Sequence, residues 1–144
     1  MARYGRGMRS AEQILRESMT IAVVGASRDP RKTAHSVPLS IQRRGWRIIP
    51  VNPFATEIFG VRAYRSLADI PEPVDFVNVF RPSADATQVV KDAIAIGAPA
   101  VWLQQDIVSP EGRALAEAAG VDYVEDTCIA VIRAVHAING PRTP

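Results

Sequence analysis

Ile21-Ala22-Val23-Val24 is apolar at every position, so it suits a strand covered on both faces rather than a half-exposed one. Gly25 breaks the run, Ala26-Ser27-Arg28-Asp29-Pro30-Arg31-Lys32 makes a polar loop, and a helical pattern begins near Thr33. That order recurs along the chain. Residues 46–51, 74–80, 100–103 and 122–124 are further short strand candidates, each followed by turn or helix-start residues. Ser10 and Gln13 form a capping box for a helix reaching about Met19. Gly45 closes a helix over roughly 34–44, and Pro38 within it calls for a start near 35–37. Pro82-Ser83 opens a helix that Gly97 ends, Ser109-Pro110-Glu111 opens one that Gly120 ends, and the last spans 129–138. Residues 54–73 form a connecting region with one helical turn over 66–70. Strands that alternate with helices, each strand apolar on both faces, specify an α/β fold. The expected form is a Rossmann-like, doubly wound parallel sheet of about five strands with helices on both faces. The 144 residues suffice for one such core, assigned to residues 10–140, with residues 1–9 a disordered tail.

Composition excludes several functions. The net charge is only +2, and the basic trios Arg3/Arg6/Arg9, Arg28/Arg31/Lys32 and Arg43/Arg44/Arg47 carry no interleaved aromatics, which argues against a nucleic-acid partner. The first trio reads as a tail, the third as a solvated helix end, and the second as an anion site. No apolar run reaches membrane length, and no apolar core follows the N-terminal arginines, so neither a membrane span nor a secretory signal is expected. Cys128 is the only cysteine, which excludes an internal disulfide and suits a reducing cytoplasm. His35, His136 and Cys128 lack metal-ligand spacing, and no serine–histidine–acid relay stands at strand ends. Cys128 lies beside acidic Glu125 and Asp126 at a strand-to-helix junction, and it reads as a small buried junction residue rather than a nucleophile.

Doubly wound sheets bind ligands beyond the C-terminal strand ends, so chemistry is sought there. After the first strand, Gly25 allows a tight turn and Ser27 offers a hydroxyl. Arg28, Lys32 and Thr33 lead into a helix whose N–H groups near His35 and Ser36 complete a phosphate site. The loop has one glycine where a dinucleotide fingerprint has three, and Asn52-Pro53 replaces the expected acid at the end of the second strand. An NAD(P)-linked enzyme is therefore the weaker alternative, and no triphosphate-cradling loop is present. Phe80, Arg81 and Pro82 follow the third strand. Gln104 and Gln105 follow the fourth, and read equally as ligand-facing amides or as a plain polar loop.

Many collinear segments resemble one family. They include Val23-Val24-Gly25-Ala26-Ser27, Gly45-Trp46-Arg47-Ile48-Ile49-Pro50-Val51-Asn52-Pro53, Tyr64-Arg65-Ser66-Leu67, Val101-Trp102-Leu103-Gln104 and Asp126-Thr127-Cys128. They resemble the single-domain CoA-binding proteins, a family similar to the N-terminal domain of the succinyl-CoA synthetase alpha subunit. The resemblance implies a domain that binds coenzyme A. Residues 25–28 and the helix start after Lys32 would hold the diphosphate, Asn52-Pro53 would border the adenine, Phe80-Arg81-Pro82 the middle of the ligand, and Gln104-Gln105 the pantetheine. It also implies a noncatalytic role, regulatory or as partner of an acyl-CoA enzyme, because the synthetase's second domain has no counterpart here. Ala55 stands where the synthetase has a lysine, and Asp106 where the family usually has glycine. An interaction protein with a vestigial pocket is the remaining alternative.

Overall fold

A computed structural model describes residues 7–141. Helix α1 (Ala11–Glu17) leads into β1 (Thr20–Val24), α2 (Thr33–Arg43) and β2 (Arg47–Val51). A two-stranded hairpin of β3 (Glu57–Ile58) and β4 (Val61–Arg62) follows, then a 3-10 turn at Leu67–Asp69. The chain continues through β5 (Phe76–Val79), α3 (Ser83–Ala95), β6 (Ala100–Leu103), α4 (Pro110–Ala119), β7 (Asp122–Val124) and α5 (Ile129–Val135). Five strands pair in parallel in the order β2-β1-β5-β6-β7. The chain leaves β1 for β2 on one side and returns past it to β5 on the other, so the order reverses at β1.

Alternate strand residues supply two apolar layers. Ile21, Val23, Phe76 and Trp102 pack with Ile14, Leu15, Ile41 and Ile129 from α1, α2 and α5. Ala22, Val77, Val79 and Val101 pack with Ala86, Val90, Ala93 and Ala116 from α3 and α4. The fold is thus the expected parallel α/β sheet covered on both faces. Trp102 is fully buried, stacks on Phe76 with ring centroids 5.6 Å apart, and donates its indole N–H to the Thr127 carbonyl.

Several boundaries differ from expectation for identifiable reasons. Helix α2 starts at Thr33 rather than at 35–37, with Pro38 well inside it. Proline donates no N–H to the Ala34 carbonyl; the Ser27 N–H fills that place at 3.1 Å, so the missing helical bond is replaced from the β1 loop. Strand β5 starts at Phe76 rather than at 74, because the Asp75 carboxylate turns aside to accept the Met19 and Thr20 N–H groups, each at 2.8 Å. The last helix ends at Val135, where Ala137 takes φ +50°. The β3–β4 hairpin was not expected. Arg9, placed by sequence in a loose tail, donates to buried Asp122 and pairs with Glu17 at 3.0 Å, while residues 1–6 lie outside the described residues.

Candidate functional site

The loop beyond β1 is built by backbone economy. Gly25 sits at φ +89° and donates its N–H to the Val51 carbonyl at 3.1 Å. A Cβ there would lie 3.1 Å from Arg81 Cδ and 3.2 Å from the Phe80 carbonyl carbon. The glycine therefore serves close packing of the β1 and β5 loops as well as the turn. Ser27 is held on both sides: its Oγ accepts the Asp29 N–H at 3.0 Å, and its carbonyl lies 2.6 Å from His35 Nδ1. The His35 and Ser36 N–H groups, which the sequence reading aimed at a phosphate, both donate to the Lys32 carbonyl at 3.0 Å. The amides without an acceptor among the described residues at the start of α2 are instead those of Thr33 and Ala34.

Charge around this loop is partly cancelled. Arg31 forms two hydrogen bonds to the Asp29 carboxylate, and they hold that carboxyl below its ordinary pKa. Arg28 and Lys32 are exposed and have no ion-pair or hydrogen-bonding partner for their side chains among the described residues. Two exposed cations thus flank the loop that leads to the N-terminal end of the 11-residue helix α2, where the dipole favours negative charge.

The other strand ends fall into scaffold and contact groups. The Asn52 amide is scaffold: its Oδ1 accepts the Phe54 and Ala55 N–H groups at 2.7 and 3.0 Å, and its Nδ2 donates to the Ala26 carbonyl at 2.9 Å. It ties the loop beyond β2 to the loop beyond β1, with Pro53 exposed between. Beyond β5, Phe80 is half-buried, Arg81 pairs with Asp85 at 2.8 Å, and Pro82 precedes α3. Beyond β6 the two glutamines separate: Gln105 is exposed, while Gln104 is 6% exposed.

Gln104 carries the most specific geometry. Its Oε1 accepts the Ile129 N–H at 2.9 Å and Asn78 Nδ2 at 3.4 Å, and Asn78 Nδ2 also donates to the Trp102 carbonyl at 3.2 Å. A backbone N–H only donates, so the acceptor on Gln104 is its oxygen. Its Nε2 is then a buried donor with no protein acceptor among the described residues. Asn78 was missed from sequence, although a lone amide in the apolar run Phe76-Val77-Asn78-Val79 was the available signal. Neither histidine hydrogen-bonds a hydroxyl or thiol among the described residues: His136 Nδ1 lies 3.2 Å from Glu12, and His35 Nδ1 contacts the Ser27 carbonyl. No group of three His, Cys, Asp or Glu residues among the described residues is placed to hold a metal. No helix among them is long and apolar enough to cross a membrane.

This arrangement can be set beside known proteins. The model of the CoA binding domain matches residues 19–134. The chain belongs to that CoA-binding family. It is 41% identical over 124 residues to the uncharacterized protein YneT of Bacillus subtilis, covering 86% of this chain and 92% of that one. A solved Thermus thermophilus structure superposes with a TM-score of 0.83 at 37% identity, covering 88% and 98% of the two chains. The alpha subunit of the ADP-forming acetate–CoA ligase II of Pyrococcus furiosus is 37% identical over 71 residues. That match covers 49% of this chain but only 16% of the subunit. The family's link to synthetases thus runs here through ADP-forming acetate–CoA ligases, and only indirectly toward succinyl-CoA synthetase.

Proposed function

We propose that this chain binds coenzyme A, free or acylated, along its C-terminal strand ends, and acts as a regulatory or partner module rather than as a catalyst. The order of the sheet carries the reading. It lines up four loops that are far apart in sequence: those beyond β2, β1, β5 and β6 stand in that spatial order. Three inter-strand steps give a track of about 14 Å. Coenzyme A is a linear molecule of adenosine, diphosphate and pantetheine, which matches a track with distinct chemistry at each step. The diphosphate goes to the Thr33 and Ala34 amides with Arg28 and Lys32 supplying charge, the adenosine lies toward Asn52-Pro53, and the pantetheine crosses Phe80-Arg81-Pro82. At the far end, the buried Gln104 Nε2 suits a pantetheine or acyl carbonyl, with exposed Gln105 beside it.

Titration calorimetry with coenzyme A, acetyl-CoA, NAD and ATP tests this. Coenzyme A is expected to bind below millimolar, with NAD and ATP at least about tenfold weaker. The double substitution Arg28→Ala/Lys32→Ala is expected to weaken CoA binding by about tenfold or more, the worth of one lost charge-assisted contact. No CoA binding at millimolar concentration by folded protein would overturn the reading.

A further inference from the structure

Cys128 immediately precedes α5, and its backbone is held on both sides while its thiol is not. The Thr127 carbonyl accepts the Trp102 indole N–H at 2.8 Å, and the Thr127 N–H donates to the Leu103 carbonyl at 3.4 Å. On the other side, the Ile129 N–H donates to Gln104 Oε1 at 2.9 Å. These bonds fix residues 127–129 against the end of β6. Cys128 itself is only partly buried, not the enclosed junction residue expected from sequence, and its Sγ has no hydrogen-bonding partner among the described residues. The two acids near it in sequence are occupied elsewhere. Glu125 accepts the Tyr123 hydroxyl at 2.8 Å and pairs with Arg113 at 3.4 Å, and Asp126 Oδ1 accepts the Asp106 N–H at 2.7 Å.

A second, independent observation points to a ligand at this corner. The Gln104 amide that holds Ile129 leaves its Nε2 buried and without an acceptor among the described residues, so this donor calls for an oxygen from outside the chain. The same amide is bonded to the residue after Cys128, which places the open donor beside the free thiol. On the coenzyme A reading that oxygen is a pantetheine carbonyl. A two-carbon link separates the last amide of coenzyme A from its sulfur, so a ligand anchored at Gln104 carries its sulfur toward Cys128. The chain has a single cysteine, and any disulfide it forms within one protomer joins it to another molecule.

We propose that Cys128 is a thiol–disulfide exchange site for the disulfide of coenzyme A. The inference rests on the coenzyme A reading and adds to it a covalent, redox-dependent state. The Cys128 thiolate attacks one sulfur of CoA disulfide. A bond forms between Cys128 Sγ and that sulfur, the CoA–CoA sulfur bond breaks, and the second CoA leaves as a thiolate that takes up the proton Cys128 gave up. The oxidising equivalents arrive with the entering disulfide. Attack by a small free thiol on the mixed disulfide reverses the step, so the protein holds CoA covalently when the CoA supply is oxidised and releases it on reduction.

The test incubates the full chain, reduced and freed of reductant, with CoA disulfide or with glutathione disulfide, and follows adducts by non-reducing intact-protein mass spectrometry. CoA disulfide is expected to add one CoA less two hydrogen atoms, at least about tenfold faster than glutathione disulfide adds glutathione. Dithiothreitol is expected to remove the adduct, and Cys128→Ser to form none. Excess desulfo-CoA, which fills the site without a sulfur, is expected to slow the reaction by about tenfold. Calorimetry of the wild type with reduced coenzyme A separates this inference from the reading beneath it. Coenzyme A binding with no adduct, with equal rates for the two disulfides, or with a rate that desulfo-CoA leaves unchanged overturns the exchange site and leaves the CoA reading standing. Absence of both CoA binding and a CoA-selective adduct on folded protein overturns both.

Discussion

At the scale of single residues, Asp106 shows how a departure from a family pattern can be read physically. It occupies φ +70°, the left-handed region that glycine enters freely, and its N–H donates to Asp126 Oδ1 at 2.7 Å. Aspartate tolerates that region better than most residues, so the position keeps its backbone shape without glycine. Asp106→Gly is therefore expected to stay within about 1 kcal/mol of the parent in urea unfolding, and β-branched Asp106→Val to lose about 2 kcal/mol. Equal stability of the two variants would contradict the assignment. Gln104 and Gln105 illustrate what sequence leaves open. The doublet reads as two polar residues, and only the position of β6 buries one against Ile129 and exposes the other. The His35 and Ser36 amides are taken up by the Lys32 carbonyl, and the amides left open among the described residues are those of Thr33 and Ala34, two residues earlier, because α2 starts at Thr33 with Pro38 well inside it.

Among elements, the parallel strands were legible because each is a short apolar run bounded by glycine, proline or a capping residue. The β3–β4 hairpin was not. Its strands have two residues each, too few to show a period, and its turn uses Phe59 at φ +59° with Gly60 at φ +73°. Phenylalanine is an uncommon choice at a positive φ, so the turn carried no recognisable signal. The hairpin brings Arg62 back toward Phe54 and Arg65 beside one cavity, which explains why that cavity could not be assembled from spacing. The connection after α5 depends on a close approach instead. The Gly140 N–H donates to the Arg44 carbonyl at 2.8 Å, and a Cβ at Gly140 would lie 2.4 Å from the Gly45 carbonyl carbon. Since the obstructing atom is backbone, Gly140→Ala is expected to cost about 2 kcal/mol and lower the melting temperature by several degrees. An unchanged melting temperature would show that the segment after α5 is not latched there.

For the whole molecule, the sheet order brings scattered loop residues to one edge of the sheet, which is the path proposed for coenzyme A, and the chemistry changes along the way. Exposed guanidiniums of Arg62 and Arg65 stand beyond β2. Among the described residues, the loop beyond β1 has amides without an acceptor, and beyond β6 the Gln104 side-chain amide is a buried donor without one. The most direct test is a two-dimensional amide NMR titration with coenzyme A. The Thr33 and Ala34 backbone amides, the Phe54 amide and the Gln104 side-chain amide are expected to shift together along one saturating curve, with Thr33 and Ala34 moving downfield as they bond the diphosphate. Shifts confined to the outer edge of β2 around Arg47 and Ile48, or none at millimolar ligand, would contradict a coenzyme A site on these strand ends.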